Sequence, residues 1–66
     1  MMKVGDLVRW RNDAFTDPPE SVKISIGLVV SIQKEPAWLE LQVKVLWREG
    51  FWTQSIKNLE VISESR

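Results

Sequence analysis

The chain has no cysteine, no histidine and no tyrosine among its 66 residues. Without cysteine no disulfide can staple the fold. Without cysteine and histidine the usual zinc sites have no ligands. The same two absences remove the commonest general base and the strongest nucleophile. Ser21, Ser25, Ser31, Ser55, Ser63 and Ser65 have only lysines as conceivable activators, and their spacing marks no pair. Asp13, Asp17 and Glu20 share one stretch but fit no metal-loop spacing, so they read as a solvated loop. The expectation is a non-enzyme with no cofactor and no metal. Charge of one sign is missing too, since nine basic residues meet nine acidic ones. A dedicated nucleic-acid binder normally shows a basic excess, so that class loses weight. No apolar run approaches the ~20 residues of a membrane-spanning helix. The opening Met1 to Asp6 carries no apolar core of a signal peptide, and none is expected.

What is present is concentrated between Leu39 and Trp52, LELQVKVLWREGFW. Leu39, Leu41, Val43, Val45 and Trp47 fall on one face in steps of two. Glu40, Gln42, Lys44 and Arg48 fall on the other, interrupted by Leu46. This alternation predicts a strand with one buried face. Arg48-Glu49-Gly50 makes a tight turn with Gly50 free to take positive φ, and Phe51-Trp52-Thr53 begins the return strand. The centre of the protein is therefore a β-hairpin.

The remaining segments order themselves around it. Val4 to Arg11 reads as a first strand reached through a Gly5-Asp6 turn. Val8 and Trp10 point inward, with Leu7 capping one end of the core. Asn12 to Lys23 is a long irregular loop, with Asp17-Pro18-Pro19 set against helix and Phe15 folded back onto the core. Such loops are often functional. Ile24 to Gln33 is a second strand, with Ile24, Ile26, Leu28, Val30 and Ile32 on one face. Gly27, on its outer face, marks a bulge or bend. A turn follows at Lys34 to Ala37, with Trp38 at its edge. Ser55 to Leu59 reads as one 3₁₀ turn, and Glu60-Val61-Ile62 as a last short strand.

Five short strands with a long first loop and a 3₁₀ turn before the last predict a small all-β, SH3-like barrel over residues 1–62, with 63–66 a polar tail. Closure of the barrel would remove the sheet's edges. An OB-fold would want a helix where only Arg48-Glu49-Gly50 stands. The core is assigned to Val8, Ile26, Leu28, Val30, Leu41, Val43, Val45 and Leu59 with aromatic packing.

The motifs Val4-Gly5-Asp6-Leu7-Val8, Gly27-Leu28-Val29-Val30-Ser31-Ile32, Val43-Lys44-Val45-Leu46-Trp47 with Gly50, and Leu59-Glu60-Val61-Ile62 run nearly end to end. In this pattern the chain resembles the short SH3-like proteins of tailed bacteriophages, notably those of marine bacteria and cyanobacteria. It is more loosely similar to KOW and Tudor modules and to the domain of Mind bomb and HERC ubiquitin ligases. The resemblance implies a non-catalytic, phage-encoded protein-binding module of the virion or the host cytoplasm. Its partner would be a capsid or tail protein, as for a decoration or connector piece. The alternative is an early protein that binds and redirects a host protein. Self-association is compatible with both. With no tyrosine, the proline-peptide site of true SH3 domains is not expected.

Two residue sets are candidates for contact with a partner. Trp52, Trp38, Trp10, Phe15 and Arg48 form the protein-binding set, because exposed tryptophan is a frequent interface anchor and an aromatic groove or cage takes peptides and cations. Trp47 is assigned to the core. Arg9, Arg11, Lys44 and Arg48 form the alternative, nucleic-acid-binding set, since basic faces with aromatics hold single strands.

Overall fold

The computed structural model describes residues 2–14, 16–34 and 40–63. Its strands are β1 (Leu7–Trp10), β2 (Gly27–Gln33), β3 (Gln42–Trp47), β4 (Gly50–Ser55) and β5 (Leu59–Ser63). They form one antiparallel sheet in the order β4-β3-β2-β1-β5. The protein is thus all-β in character, as its sequence predicts. The closed barrel is not formed. β4 and β5 are the two edges of an open sheet.

The sheet is nevertheless curled. β4 and β5 are consecutive in sequence and joined by the 3₁₀ turn Ile56–Asn58, which spans only about 6 Å at ~2 Å per residue. Four strand spacings of ~4.8 Å would hold flat edges roughly 19 Å apart. The link therefore requires the sheet to bend until its edges approach. The ring stack of Trp10 on β1 against Trp52 on β4, with centroids 5.4 Å apart, spans the same concave side.

Turn chemistry sets the boundaries. At the amino end Gly5 takes φ 97°, and the Asp6 carboxylate accepts a hydrogen bond from the Lys3 amide at 2.9 Å. The turn is where it was expected, but it uses up Val4 to Asp6, so β1 begins at Leu7. In the β3–β4 hairpin Trp47 pairs with Gly50 across Arg48 and Glu49, and Gly50 takes φ 136°. The 3₁₀ turn is opened by Ser55, whose hydroxyl accepts from the Lys57 amide.

The long loop is not wholly irregular. Directly after Pro19 the chain makes one helical turn, α1 (Glu20–Lys23). Proline lacks a donor, yet its carbonyl is intact, and the Pro19 oxygen accepts from the amides of both Val22 and Lys23 at 3.0 Å. Proline opposes helix before itself more than after itself, which is why the turn forms there. Its consequence is burial of Val22 in the core. Phe15 and the segment 35–39, including Trp38, lie outside the described residues, as does 64–66.

The largest correction concerns β2. The face bearing Ile26 and Leu28 is exposed, while Gly27 and Val29 point into the core. Ile24 precedes the strand and is exposed, as is Leu7 on β1. Gly27 explains the phase. A Cβ built there would sit 2.2 Å from Val45 Cγ1 and 2.9 Å from two carbons of the Trp47 ring. The Trp47 indole occupies the space a side chain would need, so this strand reaches the core only with glycine on its inner face. The expected bulge exists further along, between Val29 and Ser31. It resets the alternation, and Ile32 beyond it packs against the core. The observed core is Val8, Trp10, Val22, Val29, Val43, Val45, Trp47 and Leu59. Val30 and Leu41, assigned to it from sequence, are only half-buried.

Candidate functional site: an aromatic cleft

Three tryptophans converge where α1 meets the β3–β4 hairpin. Trp47, buried on the inner face of β3, donates its indole N–H to Gln54 Oε1 at 3.2 Å, and Gln54 Nε2 in turn donates to the Val43 carbonyl. Trp10, also buried, donates its Nε1–H to the Thr16 carbonyl at 2.9 Å, tying the long loop to β1. Trp52 belongs to the same inner side as Val45, its cross-strand partner. β4 is an edge, however, so Trp52 stays 37% exposed. It is held in place by stacking on Trp10, with an interplanar angle of 14°.

Two of these rings, Trp47 and Trp52, border a cleft of about 220 Å³. Trp47, Phe51 and Trp52 line one side, Pro19 and Val22 of the loop and α1 the other, with Ser21 and Glu49 at the polar positions. Glu49 is the only charged lining residue among the described residues. Flat aromatic faces beside one carboxylate suit an apolar or cationic side chain on an extended segment.

Among the residues expected to bind a partner, Trp10 and Trp52 are brought together by their ring stack. Arg48 is exposed in the hairpin turn and does not line the cleft. Pro19, Val22 and Glu49 do line it and escaped sequence reasoning. The signal that marks the first two is the proline pair itself, which positions a helical turn.

No family model, no curated protein and no solved structure matches this chain. The site must therefore be read from its own geometry.

That geometry divides the basic set of Arg9, Arg11, Lys44 and Arg48. Arg9 is ion-paired and hydrogen-bonded to Glu60. Arg11 pairs with Asp13 at 3.0 Å. Hydrogen bonding and charge attraction raise the Arg11 pKa and lower that of Asp13. Lys44 Nζ lies 5.0 Å from the centroid of Phe51. Arg48 has no ion pair among the described residues, which leaves Lys44 and Arg48 as the cations of this set without a carboxylate partner.

A larger polar cleft, of about 550 Å³, opens between Arg11, Asp13, Glu40, Ser55 and Lys57. Its charges satisfy one another. Glu40 accepts from the Ser55 hydroxyl and pairs with Lys57 at 3.4 Å. The Ser55 hydrogen bond first, then Lys57, lowers its pKa. Groups saturated in this way have little left to offer a ligand, and the aromatic cleft is the better candidate.

Proposed function

We propose that this protein is a non-catalytic, SH3-like binding module of the kind tailed phages encode, and that it grips an extended segment of a protein partner in the aromatic cleft. One observation carries the reading. Trp52 is held half-exposed by a stack on a buried tryptophan, beside a cleft that a helical turn completes. An ordered aromatic at an accessible edge costs little entropy on binding and contributes strongly to it. The SH3-like assignment is supported by the strand order, the long first loop and the 3₁₀ turn linking the sheet's two edges.

As to setting, a small, ordered, charge-balanced chain suits a piece fitted between larger virion subunits, with a host protein as the alternative partner. The nucleic-acid reading is weaker, because two of its four cations are neutralised by intramolecular carboxylates.

The test is affinity capture on immobilised protein from infected and uninfected cells, with and without nuclease, in parallel with Trp52→Ala. The expected outcome is a nuclease-resistant protein partner lost with Trp52→Ala, while the variant's unfolding free energy drops by no more than about 1 kcal/mol, the worth of one aromatic stack. A catch that vanishes with nuclease, or one indifferent to Trp52, would refute the proposal.

A further inference from the structure

The inverted phase of β2 has a consequence on the other side of the sheet. Leu7 pairs with Leu28, Leu28 with Leu46, and Leu46 with Phe51. Directly opposed residues in antiparallel strands share a face, so these side chains form one row across β1, β2, β3 and β4. All are on the outer face, exposed by 38%, 37%, 39% and 60%. Ile26 and Ile62 flank the row and are exposed by 57% and 43%. At about 200 Å² per large side chain this is roughly 500 Å² of apolar surface, the upper end for a monomer's largest patch.

We propose that a second copy of this chain covers the row, giving a face-to-face dimer. Two copies together would bury roughly 1,000 Å² of apolar surface, the threshold for a specific interface. Charge decides the arrangement. Lys44 and Arg48 lie on either side of Leu46 on β3, while Glu60 at the β5 end is already paired with Arg9. A two-fold axis across the strands would set Leu46 on Leu46 and bring Lys44 towards Arg48, two cations together. An axis along the strands, between β2 and β3, instead lays Phe51 over Leu7 and Leu46 over Leu28. The second arrangement avoids that superposition of cations and is apolar at its centre. Phe51 belongs both to the row and to the lining of the aromatic cleft, whereas Leu46 lines only the row, so Leu46→Thr tests the dimer without touching the cleft.

Sedimentation equilibrium of the full chain from about 1 µM to about 1 mM tests this. A monomer–dimer equilibrium is expected. Phe51→Thr and Leu46→Thr should each weaken it at least tenfold with the circular dichroism spectrum unchanged, because threonine keeps strand propensity on an exposed face. Trp52→Ala should leave it intact. A chain monomeric throughout would overturn the proposal. So would a dimer indifferent to both threonine variants, which would indicate pairing through the β4 or β5 edge. A monomer that binds vesicles containing anionic lipid through Phe51 would assign the row to a membrane surface and overturn it equally.

Discussion

The two faces of the sheet carry apolar residues of opposite character. The concave face is built from small, branched side chains, with Val8, Val29, Val43 and Val45 fully buried and two indoles filling the space between them. The convex face carries the longer leucines and a phenylalanine, all partly exposed. Hydrophobicity alone would rank the leucines inside. The difference teaches that volume and shape, not transfer energy, assign residues to the inside of a tightly curled sheet. A concave surface has less room per residue, and here the Trp47 ring claims enough of it that the opposing strand must present a glycine.

The strongest way to break that asymmetry is to give the concave face a side chain where it has none. Gly27→Val should destabilise the domain by about 3 kcal/mol, since the new atoms meet Val45 and Trp47 rather than the end of a flexible chain. The shift should appear in the urea midpoint. An equally stable variant would mean that the inner face has space to spare and that the phase of β2 has another cause.

A smaller effect tests the polar element of the same face. Gln54 is buried, and its amide joins the Trp47 indole to the Val43 carbonyl. Gln54→Ala removes both partners at once, leaving a buried donor and a buried acceptor, and should cost about 2 kcal/mol. If the bridge is the cause, adding Trp47→Phe to Gln54→Ala should cost less than the sum of the two single changes, measured as a double-mutant cycle.

The smallest effect belongs to ion pairs that support neither face. Asp13 and Glu40 have pKa values lowered from 3.8 and 4.5 by their partners. A carboxylate with a lowered folded-state pKa adds stability above its ordinary value and loses it as pH falls through the lowered one. Stability should therefore decline slightly as pH falls below about 4, and Asp13→Asn with Glu40→Gln should flatten that part of the slope. Both groups are exposed, so the loss is minor beside that of Gly27→Val.

Legibility in the sequence follows the same division. β3 is read correctly because Val43, Val45 and Trp47 alternate with polar residues, so period and polarity agree. β2 is misread because both of its faces are apolar. Ile26 and Leu28 look like the core face, while the residues that are buried, Gly27 and Val29, look like a bend and a neighbour. Of the site, Trp10 and Trp52 are legible as large aromatics on strands. Glu49, Pro19 and Val22 are not, because they meet the rings only through the approach of the long loop to the hairpin.

By itself, then, the sequence determined the local elements of this protein. The Gly5-Asp6 turn, the β3–β4 hairpin closed by Gly50, the 3₁₀ turn at Ser55 and the inward set Val8, Val43, Val45 and Leu59 all follow from short-range periodicity and turn chemistry. Only the tertiary structure decided which face of β2 is inside, where Trp52 rests and that Gln54 is buried. Each of these depends on side chains from strands far apart in sequence competing for one small concave volume, and packing of that kind is a property of the whole sheet.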